Sequence, residues 1–480
     1  MRENLHRIEV KGGVLSPLDF KRILEYALDL ELEYLHFGSR QDILFPDKNK
    51  NGVLLRDSDH FNTSFFVSKK YHNICCSYVS TDIFNTTPWV RGTTFLYILE
   101  EFSYQPSLRI NIIDPVQQIV PFFTGNLNFI ASDKEDFWYL YLDIAGWDKG
   151  FYPVLIYTWD IVKISSLIEE VYGKMGSIDE LFSFLNVHLD TNNSIIDKPL
   201  IPSSKPFPYY EGMNKMGQNQ YWVGLYWRNN KYDIEFLYAL CNFCIENKVG
   251  KICLTPWKSF IIKGILKEDK LELEKLLGSR GINIRHSSLE LNWHIPVNDE
   301  EALGLKKHLV SDFDKRDIST YGLTFGIYGA DEVNTYFTTI VIEKTKNSSD
   351  LDDVDTRNSY NIKYADSFNP GLRNYIVFAQ DVSRNMLPDL LVELTKVYFD
   401  NLGKQIMTLK GKQKCKDKEV VKFYQCTNCL NVYDEQIGDV LQDISPQTSF
   451  KALPDSYCCA VCDAPKSQFE SSQLPVTNLQ

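Results

Sequence analysis

Two Cys-x-x-Cys pairs, Cys426/Cys429 and Cys459/Cys462, lie near the end of this 480-residue chain, with 29 residues between the inner cysteines. Four thiolates presented as two knuckles can close a tetrahedral S4 site, a coordination that a single iron or a zinc accepts. No position is left open for a substrate, so the stretch from Tyr424 to Phe469 must carry electrons or hold structure.

The residues between the pairs discriminate between these uses. Tyr424 precedes the first cysteine by two positions, and Tyr433-Asp434 follow the second by four. Gly438-Asp439, Pro446, Phe450, Leu453-Pro454, Tyr457 and Ala464-Pro465-Lys466-Ser467 before Phe469 complete a pattern that resembles a whole rubredoxin. An aromatic cluster of this kind gives a metal a rigid, water-poor surround, which a generic zinc ribbon does not need. The resemblance implies one iron per chain on Cys426, Cys429, Cys459 and Cys462, with zinc as the alternative, and it implies that Cys429 and Cys462 lie nearer the surface. Three positions depart from the family. Leu430 and Asp463 stand where rubredoxins turn on glycine, and Ala460 stands where they carry proline. Aspartate tolerates the left-handed region, whereas leucine there costs on the order of 1 kcal/mol.

Bulk properties bound the partners. A net charge of -12 argues against nucleic acid or an anionic membrane. The stretch MRENLHRIEV has no apolar signal region, and no apolar run has the length of a membrane span, so a cytoplasmic protein is expected. Of eleven cysteines, four are committed to metal and the rest show no pairing pattern, which suits a reducing compartment.

The rest of the chain reads as a duplication. Ile8 to Val10 is a strand, Lys11-Gly12-Gly13 a turn, Ser16-Pro17 a helix start, and Phe20, Ile23, Leu24, Ala27 and Leu28 share one helical face. A strand at Tyr34 to Phe37 ends in Gly38-Ser39-Arg40-Gln41. The same order returns 217 residues later, with a strand at Val223 to Trp227, a helix opened by Asp233, and a strand at Lys251 to Leu254 ending in Thr255-Pro256-Trp257-Lys258.

Two such ferredoxin-like half-domains, each followed by a larger α+β unit, resemble the siroheme-dependent nitrite and sulfite reductases. Lys11-Gly12-Gly13-Val14-Leu15-Ser16, Ser39-Arg40-Gln41 and Leu254-Thr255-Pro256-Trp257 carry the resemblance. It implies that Arg40 sits in the anion and tetrapyrrole pocket; the local alternative is an arginine that closes a strand end. The family's four-iron cluster needs cysteine pairs after the second half-domain, yet no cysteine lies between Cys253 and Cys415, and Trp293-His294-Ile295-Pro296-Val297-Asn298-Asp299 stands where the first pair belongs. A catalytically degenerate scaffold is therefore expected, and siroheme is argued against.

The expected fold class is α+β, with duplicated reductase-like units followed by a small rubredoxin-type metal-bound domain. The expected limits are half-domains at 1–75 and 216–290, α+β domains at 76–215 and 291–403, a lysine-rich linker at 404–422, the rubredoxin domain at 423–470 and a polar tail at 471–480. Within the scaffold, Asn374 to Val382 reads as a strand and Leu387 to Leu402 as an amphipathic helix. The linker either lets the module swing or docks it on the scaffold.

Other chemistry is sparse. Cys241 and Cys244 are spaced for metal but lie on an apolar helix, and Cys75-Cys76 lie in a strand-like run, so both pairs read as core. The acidic run Asp350 to Asp355 reads as a solvated loop and Cys415 as an exposed thiol. No phosphate loop, dinucleotide fingerprint or nucleophile elbow is present. The function expected is electron transfer to or from a redox protein partner, such as a nitrogen- or sulfur-assimilation reductase. The alternatives are a tetrapyrrole oxidoreductase fed by its own rubredoxin, and a zinc-bound interaction protein.

Overall fold

A computed structural model describes residues 5–48, 51, 73–188, 192–202, 205–282, 292–329, 336–345, 359–411, 422–429, 431–435, 438–439, 442 and 444–473. The two half-domain patterns fold into two sheets that exchange strands. Tyr34–Phe37 pairs with Ile43–Pro46, which pairs with Leu5–Ile8, while its free edge takes Tyr232–Asp233 from the second repeat. Reciprocally, Ile252–Leu254 takes Val14–Leu15 from the first repeat, and beyond it lie Ser259–Leu266, Gln220–Tyr226 and Gly212–Met216. Each repeat thus completes the other's sheet. Leu5–Ile8 is the observed first strand in place of Ile8 to Val10, because its register is set by pairing with Ile43–Pro46 and the chain turns at Lys11–Gly13.

The helices start where the sequence places them. Ser16 accepts the Asp19 amide to open Pro17–Asp29, and Asp233 accepts the Phe236 amide to open Ile234–Glu246. Each cap satisfies a donor the first turn would otherwise leave unpaired, worth about 1 kcal/mol. Phe20, Ile23, Leu24 and Ala27 pack in one core with Leu237, Leu240, Cys241 and Cys244. Each large apolar side chain so buried contributes about 1.5–3 kcal/mol.

The two larger units repeat one sheet order. In the first, Ile74–Cys76, Ile110–Ile113 and Leu127–Ala131 run parallel, and Phe137–Leu142 and Val154–Tyr157 follow antiparallel. In the second, Trp293–His294, Phe325–Tyr328 and Ile340–Lys344 run parallel, and Ser359–Ala365 and Tyr375–Ser383 follow antiparallel. Parallel strands need crossover connections, and the helices Gly92–Glu101 and Glu300–Lys315 occupy the corresponding positions in the two units.

The last scaffold helix runs Leu387–Gly411, past the expected end at Leu402. Residues 404–411 therefore belong to that helix and not to a connector, since Lys, Gln, Met and Leu there are good helix formers. Residues 412–421, with Cys415, and the acidic run Asp350 to Asp355 lie outside the described residues.

Candidate metal centre

The four-cysteine module is a three-stranded antiparallel sheet of Val432–Tyr433, Lys422–Cys426 and Phe469–Gln473, closed by short turns. Its two knuckles fold alike. The Cys426 amide donates to the Asn431 carbonyl and the Cys459 amide to the Ala464 carbonyl, each at 2.8 Å. Both turns bend the chain so that its sulfurs face inward.

The Sγ atoms of Cys426, Cys429, Cys459 and Cys462 all lie within 4.8 Å of one another. Cys426 and Cys462 stand 3.6 Å apart, and Cys429 and Cys459 3.4 Å apart. A tetrahedral site with metal–sulfur bonds of about 2.3 Å spaces its sulfurs by roughly 3.8 Å, so the donor set fits a thiophilic ion. Cys426 and Cys459 are fully buried, whereas Cys429 and Cys462 are partly exposed.

Donors surround the sulfurs. The Val461 amide and the Asn431 side-chain amide approach Cys459 Sγ at 3.4 and 3.8 Å. The Ala464 amide holds the Cys462 thiol down, to about 6. Cys429 is pushed up to about 12: the Asn431 amide pulls its thiol down, but desolvation and hydrogen bonds with the other three thiols outweigh it. A bound cation would displace the remaining protons.

An aromatic shell encloses the knuckles. Tyr433, Phe450, Tyr457 and Phe469 are buried against Cys426 and Cys459. Tyr457 keeps its hydroxyl satisfied on Asp439, and Tyr433 on the Thr448 carbonyl. Gly438 turns with φ +72°, where a Cβ would meet the Ile444 and Ser445 carbonyl oxygens at 2.5 and 2.6 Å. Asp463 has φ +59°, so it does occupy a left-handed glycine position; Leu430 lies outside the described residues.

Sequence reasoning missed two residues of the scaffold. Lys215 Nζ reaches the Cys459 carbonyl at 3.0 Å and the Asp463 carboxylate at 2.5 Å, and the Tyr221 hydroxyl donates to Asp463 at 3.2 Å. The only signal in the sequence was the aspartate at a glycine position.

Arg40 is half-buried and spends its guanidinium inside the protein. It donates to the Asn73 side chain and carbonyl, to Asn111 Oδ1 and to the Ile110 carbonyl. Cys75, Cys76, Cys241, Cys244 and Cys253 are buried in apolar cores. Trp293 stacks on Phe325 with ring centroids 4.6 Å apart, and His294 packs against Phe337, so aromatic rings fill the place where the resemblance would put the first cysteine pair. Burial holds His294 well below the usual imidazole range and hence neutral. Among the described residues, no other cluster of metal-ligating side chains occurs.

Comparison with known proteins agrees with this geometry. Residues 423–469 match the rubredoxin family model. Over 45 residues the chain is 49% identical to the probable rubredoxin HupI of Bradyrhizobium diazoefficiens, covering 9% of this chain and 65% of that protein. Over 60 residues it is 42% identical to the high molecular weight rubredoxin of Moorella thermoacetica, covering 12% and 26%. The matched segment thus spans less than two thirds of each of these relatives. The solved structure of the Mycobacterium tuberculosis NirA protein superposes with a TM-score of 0.59 at 14% identity, covering 82% of this chain and 80% of that one. Residues 423–469 are therefore a rubredoxin domain, joined to a scaffold with a NirA-like fold.

Proposed function

We propose that this chain is an electron-transfer protein whose centre is one iron held by Cys426, Cys429, Cys459 and Cys462. The observation that carries this reading is the convergence of four sulfurs, with N–H donors on them, inside an aromatic shell. Iron in such a site supplies a one-electron ferric/ferrous couple. Buried Tyr433, Phe450, Tyr457 and Phe469 exclude water and hold the sulfurs in place, so little has to move when the charge changes. Amide donors offset the negative charge on the thiolates. Cys429 and Cys462, partly exposed, offer the shorter path to a partner.

The scaffold supplies recognition of a redox protein, such as a reductase of nitrogen or sulfur assimilation. Its unit limits at 75, 215 and 290 are proposed from the sequence repeat, and its last helix runs to Gly411. No described helix is long and apolar enough to cross a membrane, and the free buried thiols suit a reducing compartment such as the cytoplasm.

A cleft of about 530 Å³ favours a second reading, because Arg7, Ser39, Lys258 and His294 line it. That composition suits an anionic group and supports a scaffold that binds a tetrapyrrole and is fed by its own rubredoxin. In that case Arg7 and Lys258 take the role the family resemblance gave to Arg40, whose donors are engaged elsewhere.

Spectroelectrochemistry of iron-loaded protein tests the first reading. One reversible one-electron couple in the iron–thiolate bands is expected. A chain that accepts only zinc, or whose iron cannot be cycled without loss, contradicts it.

A further inference from the structure

The rubredoxin domain touches the scaffold through a contact too specific to be incidental. Lys215, on the strand Gly212–Met216, has a side chain only 8% exposed, and the groups its ammonium reaches all belong to the metal module: the Asp463 carboxylate at 2.5 Å, the Cys459 carbonyl at 3.0 Å and Cys458 Sγ at 3.9 Å. Tyr221, on the paired strand Gln220–Tyr226, adds its hydroxyl to the same carboxylate at 3.2 Å, and Lys270 lies over the Tyr221 ring at 4.9 Å. Asp463 makes this contact from the knuckle turn, at φ +59°, a conformation glycine would take without strain. Residues 423–469 carry six acidic side chains against two lysines, so the module is acidic where the scaffold presents ammonium groups.

We propose that Lys215 and Tyr221 form a dock that latches onto Asp463 and fixes the metal module's orientation on the Gly212–Met216/Gln220–Tyr226 hairpin. Asp463 is then a docking residue in the place of the turn-forming glycine, its two carboxylate oxygens accepting from the Lys215 ammonium and the Tyr221 hydroxyl. An ammonium this well buried needs its counter-charge, and a charge-assisted pair of this geometry is stronger than a neutral hydrogen bond. The latch holds the module on the hairpin and presents partly exposed Cys429 and Cys462 in one fixed direction. It requires a folded, metal-filled module but neither iron nor zinc in particular, so it stands or falls separately from the electron-transfer reading.

Amine acetylation followed by mass spectrometry tests the dock on the full metal-loaded chain. Lys215 of the native protein should be among the slowest lysines to react at low salt. In Asp463→Gly, which suits the backbone, its rate should rise roughly tenfold, the equivalent of about 1.4 kcal/mol of lost docking, while metal content stays the same. Lys215→Met should leave metal content intact and enlarge the maximum dimension in small-angle scattering. If Asp463→Gly loses its metal, Asp463→Asn, which keeps an acceptor for Tyr221, gives the same readout with a smaller rise. A Lys215 that reacts like an exposed lysine in the native chain, or that stays equally slow in the variant that retains metal, overturns the proposal.

Discussion

Tyr424 and Phe450 stack with ring centroids 4.0 Å apart and planes 12° from parallel, in the aromatic core of the four-cysteine module. Phe450 also meets Tyr433, Tyr457 and Phe469, so one ring touches every aromatic wall of the site. A domain of this size buries too little surface to tolerate losing it.

Phe450→Ala should therefore cost the module roughly 3 to 5 kcal/mol. The metal–thiolate absorption should melt well below its native temperature while the far-ultraviolet circular dichroism of the scaffold melts unchanged. A joint shift of both transitions would show that the module and scaffold unfold as one.

Gly438→Ala places a Cβ against the Ile444 and Ser445 carbonyl oxygens in a left-handed turn. The strain alone is worth at least about 1 kcal/mol, and the overlap adds to it. Faster metal loss to a chelator is expected, by tenfold or more on the conversion of about 1.4 kcal/mol per decade. Gly146, which also has positive φ but open space around it, should tolerate alanine better.

Some of this was legible from sequence, and the reasons differ by element. The clustering of the four cysteines was readable because each knuckle is local: two cysteines three apart form half a site on their own. Ser16 and Asp233 were readable because a cap bonds an amide three residues away. The reciprocal strand exchange was not, since Val14–Leu15 and Tyr232–Asp233 are two residues long and carry no periodicity. The dock was invisible for the same reason, as Lys215 and Asp463 meet only through the folded chain. Arg40 shows the limit of family resemblance: its motif was found, but the Asn73 and Asn111 side chains that take up its donors follow no motif.

Asn111→Ala should destabilise the scaffold by about 2 kcal/mol, because it leaves Nη1 of Arg40 without its acceptor while Nε and Nη2 keep Asn73 and Ile110. Asn111 accepts from Arg40 at 2.5 Å while donating to Thr124 and Asn128. Urea denaturation followed by tryptophan fluorescence measures the loss. A native-like midpoint would mean that Arg40 is free to find another partner.

Burial pushes the scaffold thiols up, Cys75 to about 11 and Cys244 to about 12, from an ordinary value of 9.0. Each is a group whose folded form holds its proton more tightly, so its stabilisation is complete below pH 9 and is lost as pH rises through about 11 for Cys75 and about 12 for Cys244. Scaffold stability should fall over that window, and iodoacetamide at pH 8 should leave these thiols unmodified until the chain is unfolded. Rapid labelling of the native protein at Cys75 or Cys244 would contradict their burial.

The metal content of protein purified without added metal, read with its visible spectrum before and after dithionite, tests the central claim most directly. The account predicts a red protein with one iron per chain whose iron–thiolate bands bleach on reduction and return in air. A colourless chain carrying one zinc would contradict electron transfer and leave the module as a structural element.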